Sequence, residues 1–298
     1  MWSSLWSMSF MLSSLRLWQT SAVTIFALMQ RSVDLVASDS ALLDVELLLC
    51  HALGVDRAYL KTWPDYQPNT KQLNDFQGLF KRRLRGEPIA YILGWQGFWS
   101  LDLKVSEHTL IPRPETELLV ETALALSLPP QASVLDLGTG TGAIALALAS
   151  DRNAWTVTAL DIQPQAVALA EDNRAMHKLN NVKVVQSNWF SALSAVKFDL
   201  IVSNPPYIGN DDPHLSQGDV RFEPASALVS GPKGFYDLIL LVAQSVAFLA
   251  ANGWLLVEHG CEQGDGVRAL FTEAGFSGIE TRRDYNQLDR ITLGQLQG

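Results

Sequence analysis

The segment Asn204-Pro205-Pro206-Tyr207 combines residue types suited to one task. A residue preceding proline is pushed toward an extended conformation, so Asn204 is held stiffly. Pro205 and Pro206 lack an N–H, and their carbonyls act as acceptors alone. The Asn204 amide oxygen and the Pro205 carbonyl can then accept both hydrogens of an incoming –NH2, while Tyr207 offers a flat face to a planar amide or base. The chemistry served is alkylation of a reluctant nitrogen, whose lone pair is delocalised in an amide or aromatic amine. Two acceptors on its hydrogens turn the lone pair toward an electrophile and stabilise positive charge growing on nitrogen. Holding the reacting atoms in line supplies much of the rest, and no strong general base is needed before transfer.

A second cluster lies upstream. Gly138-Thr139-Gly140-Thr141-Gly142 separates a β-rich run from a helix, and Asp136 stands just before it. A tight turn and close backbone approach to a ligand both call for glycine. Asp161 ends the next predicted strand, where an acidic residue grips ribose hydroxyls in nucleotide-binding βαβ units. Gly138, Gly140 and Ala143 also satisfy the dinucleotide spacing, so a nicotinamide cofactor stays open. Asp136 would repel a pyrophosphate but would accept from a cationic or amino-bearing ligand. That, and the unbroken G-x-G-x-G, favour S-adenosylmethionine, which carries an α-amino group and a sulfonium and no phosphate.

The elements that must position these clusters alternate. Predicted strands at Ser133–Leu137, Trp155–Leu160, Val182–Gln186, Phe198–Ser203 and Gly253–Val257 are separated by helices over Ala143–Ser150, from Pro164, and over Leu238–Ala251, with two further strands near Gly278–Arg282 and Arg290–Leu293. This is an α/β pattern, a doubly wound and mainly parallel sheet covered by helices. In such sheets ligands bind beyond the carboxyl ends of strands, which brings both clusters to one crevice. Upstream, residues 23–90 read as helices. Asp39 or Ser40 starts one that Gly54 stops, and Asn69 or Thr70 starts another that Gly86 closes. Lys81, Arg82, Arg83 and Arg85 read as a solvated face of that second helix. Residues 91–112 read as a β-hairpin connector stiffened by Pro112 and Pro114, and residues 113–298 as the catalytic domain.

Composition narrows the classes. Of 298 residues 48% are hydrophobic and 18% charged, which fits a globular chain with a sizeable core. The net charge of −9 resides wholly after Pro112, because residues 1–112 balance 10 basic against 10 acidic side chains. An acidic catalytic half is poorly suited to clamp a phosphate backbone, which argues against free DNA as substrate. Two cysteines, Cys50 and Cys261, exclude a disulfide framework and point to a reducing, cytoplasmic setting. His51, His108, His177, His214 and His259 show no metal-ligand spacing, so no metal is expected. His259 and Cys261 read as packed residues, Cys261 as buried or half-buried, and Trp95 and Trp99 as braces of the hairpin. Residues 1–22 fit neither a secretory signal, since the first basic residue is Arg16, nor a membrane span, since serines, Gln19 and Arg16 interrupt the apolar run. They read as an extension of unknown role.

Taken together, Asp136–Gly142 and Asn204–Tyr207 resemble the class I S-adenosylmethionine-dependent amino-group methyltransferases. Ile111–Glu117, Arg85–Tyr91 and Gly218–Pro224 narrow the resemblance to the protein-(glutamine-N5) methyltransferases of peptide-chain release factors, the PrmC/HemK family. It runs from about Leu35 to the C-terminus. The resemblance implies that Gly138, Thr139, Gly140, Thr141 and Gly142 line the methionine and ribose part of the cofactor. It further implies that Asp161 binds the ribose, that Trp189 flanks the adenine, and that Asn204 lies near the cofactor. Asn204, Pro205, Pro206 and Tyr207 would hold the glutamine of the release factor's Gly-Gly-Gln motif, and the helical domain would recognise that protein. At the position before the Trp-Phe pair, where relatives usually carry Asp, this chain has Asn188. A sister family that methylates a ribosomal-protein glutamine lacks the Arg113–Glu117 pattern. That family and the adenine-N6 DNA methyltransferases, which share the Asn-Pro-Pro-Tyr, are the alternatives.

Overall fold

The structure is a computed structural model that describes residues 23–36, 38–194 and 196–298. The extension expected over residues 1–22 lies outside the described residues. The chain divides into two compact units, one ending at Leu93 and the other running from Gly94 to Gly298.

The first unit is helical. α1 (Ile25–Met29) is capped by the Thr24 hydroxyl, which accepts from the Ala27 N–H. α2 (Ala41–Leu53) ends at Gly54 with φ 70°, the left-handed stop that glycine adopts at low cost. Asp56 caps α3 (Arg57–Thr62), and Asn69 forms a capping box with Gln72 at the start of α4 (Thr70–Leu84). α5 (Ile89–Leu93) closes the unit, so the helical part runs three residues into the segment expected to be connector. Ile25, Leu28, Val45, Leu48, Leu49, Leu60, Phe76 and Phe80 form its core. The expectation of a solvated basic face on α4 needs correction. Arg83 Nε donates to Asp44 at 2.7 Å with both side chains under a tenth exposed, and Arg82 pairs with Glu87 while donating to the carbonyls of Tyr91 and Ile92. Two of the four cations are tie-bars: Arg83 reaches back to Asp44 of α2, 39 residues away, and Arg82 reaches forward to Glu87 and to the α5 backbone.

The second unit begins with an antiparallel hairpin, β1 (Trp95–Phe98) and β2 (Leu101–Lys104). After α6 (Glu117–Leu124) the alternation expected above appears: β3 (Ser133–Leu137), α7 (Ala143–Asp151), β4 (Thr156–Asp161), α8 (Pro164–Met176), β5 (Val182–Gln186), β6 (Phe198–Ser203), α9 (Tyr236–Ser245), β7 (Leu249–Glu258), α10 (Gly264–Glu273), β8 (Phe276–Arg283) and β9 (Asp289–Leu296). The seven strands order as β5-β4-β3-β6-β7-β9-β8, parallel except where β9 pairs with β7 and β8. The chain reverses its direction of winding between β3 and β6, which creates the crevice where such sheets bind ligands. Alternate residues feed two cores, Val134 on the α7 side and Leu135 and Leu137 on the α9 side. α7 is buried from Ala143 through Ala149, which its uniformly apolar sequence requires. α9 is shorter than expected, ending at Ser245 rather than Ala251. Leu238–Ala251 is apolar apart from Gln244 and Ser245, where the helix ends, and neither of these is a glycine or proline stop signal. The backbone leaves the helix where the Phe248 carbonyl accepts from the Phe198 N–H and Leu249 joins β6.

Candidate active site

Strand register decides what meets at the carboxyl edge of the sheet. Leu137 pairs with Ser203, and Ser203 with Val257, so residues 138, 204 and 258 emerge side by side. The Ser203 hydroxyl donates to the Leu137 carbonyl at 2.7 Å and stitches two of these strand ends together.

The glycine loop is held by its own backbone. Gly138, Gly140 and Gly142 all have positive φ, and the Trp189 indole lies 3.5 Å from where a Gly138 side chain would begin. Gly138 and Thr139 both donate to the Leu160 carbonyl, Gly142 donates to Thr139, and Gly140 donates to Asp161 Oδ2 at 2.9 Å. These N–H groups would cradle a pyrophosphate in a dinucleotide-binding loop. Here they are spent on protein acceptors. Asn173 of α8, fully buried, donates to the Thr141 carbonyl at 2.9 Å and exchanges hydrogen bonds with the backbone of Lys104, which ties hairpin and loop together.

A cavity of about 420 Å³ opens over this edge. Its walls include Gly138, Thr139, Gly140, Thr141, Asp161, Asn188, Trp189, Asn204 and Pro206, with Thr109, Arg113 and Thr116 from the segment after the hairpin. Asp136, Gly142, Pro205 and Tyr207 are not among the walls. Asp136 sits beneath the loop, fully buried, with Oδ2 accepting from the Thr139 hydroxyl at 2.6 Å and from the Ala145 N–H at 3.2 Å. Its Oδ1 is buried with no partner, and burial pushes the carboxyl up to about 7. Asp161 uses one oxygen for Gly140 and the other for the Gln163 N–H, and a carboxylate retains further lone pairs. Burial raises its pKa as well. Arg113, the one Lys or Arg among the described walls, is engaged with the buried Glu223 at 2.6 Å. Burial pushes Glu223 up to about 7, with Arg113 pulling the other way. A pocket walled by Asp161 and Asp237, with Asp136 beneath the loop, a committed arginine and the N–H groups of Gly138, Thr139, Gly140 and Gly142 already engaged opposes a pyrophosphate and suits a cationic nucleoside.

Asn204 Nδ2 donates to the Thr116 hydroxyl at 3.1 Å, so the amide oxygen is the end left to accept. The Tyr207 hydroxyl donates to Glu258 Oε1 at 3.2 Å, and its ring packs among apolar residues of the α9 side. The flat face expected of Tyr207 is thus turned to packing, because the hydroxyl is drawn to a carboxyl at the end of β7. Gln263 donates to the Tyr207 carbonyl at 3.1 Å and accepts from the Gly260 N–H at 2.8 Å. A Cβ on Gly234 would run into that same Tyr207 carbonyl, so the segment 231–234 packs directly on the bend. Thr116, Asn173, Glu258 and Gln263 were not foreseen. A signal existed for Glu258, which ends a very apolar central strand as Asp161 ends β4.

His259 is wholly buried, its Nδ1 donating to the Gly260 carbonyl and its Nε2 accepting from Thr292. Burial lowers its pKa. Cys261 is exposed, contrary to expectation, because it lies in the loop that turns away after β7. Trp99 does brace the hairpin turn, its indole N–H donating to Asp151 at 3.2 Å. Among the described residues there is no cluster of three or more His, Cys, Asp or Glu able to hold a metal, and no helix long and apolar enough to cross a membrane.

Comparison with known proteins agrees with this architecture. The family profile "Methyltransferase small domain" matches residues 114–227, and "PrmC N-terminal domain" matches residues 27–94. A release factor glutamine methyltransferase from Pseudomonas aeruginosa is 57% identical over 272 residues, spanning 91% of this chain and 98% of that protein. The chain belongs to the release factor glutamine methyltransferase family. A family member from Escherichia coli is 50% identical over 263 residues, covering 88% of this chain and 95% of its own. Among solved structures, a methyltransferase from Pyrococcus furiosus aligns with a TM-score of 0.53 and 18% identity, over 74% of this chain and all of that one, which speaks to the shared class I fold. The family's two named domains fall on the helical unit and on the sheet unit that carries the cavity.

Proposed function

We propose that this enzyme methylates the side-chain nitrogen of the glutamine in the Gly-Gly-Gln motif of a peptide-chain release factor, with S-adenosylmethionine as methyl donor. The observation that carries the reading is the Asn204 amide at the cavity wall. Its nitrogen is tied to Thr116, so its oxygen is presented as an acceptor beside the glycine loop. The names of relatives at 50–57% identity support the choice of release factors.

The residues present fit the donor. The unpartnered Asp136 oxygen under the loop and the engagement of the Gly138, Thr139, Gly140 and Gly142 N–H groups with protein acceptors suit a cation without phosphate. Gly138, Thr139, Gly140 and Thr141 would line its methionine and ribose part with Gly142 closing the loop behind them, Asp161 would accept from ribose hydroxyls, and Trp189 would flank the adenine beside Asn188. When bound, S-adenosylmethionine supplies a methyl carbon made electrophilic by the sulfonium. The protein's part is to hold the glutamine amide. Asn204 Oδ1 and the Pro205 carbonyl would each accept one N–H, which turns the nitrogen lone pair toward the methyl and stabilises the charge that nitrogen acquires. As the nitrogen–carbon bond forms, the carbon–sulfur bond of the donor would break with its electron pair returning to sulfur, and the strongly acidic alkylated amide would lose its extra proton to water, so neither acceptor need keep it. Pro206 and the Tyr207 anchor would keep the bend from yielding. The helical unit would recognise the body of the release factor.

Incubation with methyl-labelled S-adenosylmethionine and purified release factor, followed by mapping of the label, tests the assignment. Label on the glutamine of Gly-Gly-Gln is expected. Label on a ribosomal protein alone, or on adenine, would replace it.

A further inference from the structure

We propose that Gln263 is a positioning residue for methyl transfer, its side-chain amide clamping the Asn-Pro-Pro-Tyr bend to the opposite lip of the cavity and so fixing where the substrate nitrogen is held. The inference rests on the methyl-transfer reading above and names a residue outside the cavity walls on which that chemistry depends.

Gln263 immediately precedes α10 and is 9% exposed. A polar side chain at this place can cap its helix, but this one makes no capping bond. Its two ends serve other groups. Oε1 accepts from the Gly260 N–H at 2.8 Å, and the Gln263 N–H donates to the Gly260 carbonyl at 2.9 Å, which anchors the residue on the loop after β7. Nε2 is thereby aimed at three carbonyls, those of Tyr207 at 3.1 Å, Gly234 at 3.3 Å and Lys233 at 3.4 Å. An amide nitrogen carries two hydrogens, so the three acceptors share them.

Those carbonyls belong to two sides of the cavity. Tyr207 ends the bend. Lys233 and Gly234 lead into Tyr236 and Asp237, which wall the cavity. Between them Ile208 donates to the Leu228 carbonyl and Ser230 donates back to the Ile208 carbonyl, both at 2.9 Å, and the Ser230 hydroxyl accepts from the Asp237 N–H at 2.7 Å. Residues 207–237 thus leave the bend and return to it, and the start and the return meet at one amide. Carbonyl oxygens gathered at a point repel one another unless a donor stands among them, so the closure depends on Nε2 and not on packing alone.

The cofactor end is fixed independently. Asp161 is held by the N–H groups of Gly140 and Gln163, and the Trp189 carbonyl accepts from the Ser187 hydroxyl at 2.6 Å. Loss of the clamp should move the substrate acceptors and the lip and leave cofactor affinity as it is.

The test uses the full chain with a purified release factor and saturating labelled S-adenosylmethionine, and compares wild type with Gln263→Met, which keeps side-chain length without a donor, and Gln263→Glu. Melting curves identify which variants are folded. Gln263→Met should lose about 10- to 100-fold in kcat, the scale on which small misplacements of a reacting group act, with Kd for the cofactor unchanged. The carboxyl introduced by Gln263→Glu can donate to the Tyr207 carbonyl only while it holds its proton, and burial among carbonyls favours that form. Its kcat should therefore stay within about fivefold of wild type at about pH 6 and fall about tenfold further, relative to wild type, by about pH 8.5. A role in stability alone would leave no such slope in folded protein. A second arm needs no turnover: the backbone N–H groups of Ile208 and Ser230 should exchange with deuterium about tenfold faster in Gln263→Met, and those of Gly138 and Thr139 at the wild-type rate. Wild-type kcat in folded Gln263→Met, a pH-independent ratio for Gln263→Glu, or a loss of cofactor affinity as large as the loss of kcat would overturn the proposal. If Gln263→Met does not fold, the slope of Gln263→Glu decides. A wild-type protein that methylates no release factor would sink the underlying reading instead, and exchange at Ile208 and Ser230 would then decide the clamp alone.

Discussion

Replacing Asp136 by Asn should strengthen the free protein and weaken its hold on the methyl donor. The carboxyl is fully buried and its pKa is pushed from 3.8 up to about 7, so the folded state binds its proton more tightly than the unfolded chain does. The cost of burying the charge therefore grows as pH rises from about 4 to about 7 and is complete above that, on the order of 4 kcal/mol for three units. The melting temperature of Asp136→Asn relative to wild type should climb across that window. A cationic ligand favours the ionised form, so cofactor affinity of the wild type should rise between pH 6 and 7.5. The variant should bind about 10- to 100-fold more weakly and show no such rise in calorimetric titration. At the same scale, Asn204→Ala removes an acceptor aimed at developing charge and should cost about 100- to 1,000-fold in kcat, read with labelled cofactor. Asp136, Asp161 and Asn204 were legible in the sequence because a polar residue closing an apolar strand of a parallel sheet has few other reasons to be there. Thr116 was not, since its importance lies in a contact with a residue 88 positions away.

Strand tips and the loops laid across them set the precision of the site. Gly234 has φ 72° and faces the Tyr207 carbonyl so closely that no Cβ fits. Gly234→Ala should push the bend out of register, with about 1–3 kcal/mol lost from stability and a fall in kcat larger than that loss explains, measured by denaturant melts beside turnover. The positions of β3, β5 and β6 followed directly from short β-rich runs bounded by turn residues. The end of α9 did not, because no glycine or proline follows Ser245 before Gly253 and pairing with β6 decides where helix becomes strand. In the helical unit, Arg83→Ala should cost about 3 kcal/mol, since it leaves the nearly buried Asp44 charge with only the Ser38 and Ser40 hydroxyls, whereas alanine at exposed Lys81 should change stability by less than about 0.5 kcal/mol. Sequence pattern alone assigned these two cations to the same solvated face. What separates them is a carboxylate on α2, 39 residues away.

At the scale of the whole molecule, the cavity and all of its described walls belong to the unit that starts at Gly94, and that unit has its own two cores on either face of the sheet. A fragment of residues 94–298 should therefore bind S-adenosylmethionine as the full chain does. It should also methylate a short peptide containing Gly-Gly-Gln at the full chain's rate, because only the reacting glutamine and its neighbours reach the bend. Methylation of an intact release factor should behave differently. If the helical unit recognises the body of that protein, its contacts supply binding energy remote from the reacting nitrogen, and such energy is spent on holding and orienting the glutamine. Losing about 2.8 kcal/mol of it would lower kcat/KM for the intact factor about 100-fold. The ratio of the two substrates in one preparation of the fragment is the informative quantity, since a poorly folded fragment would slow both alike. Equal kcat/KM losses for peptide and intact factor would assign the helical unit to stability, whereas a loss confined to the intact factor would assign it to recognition.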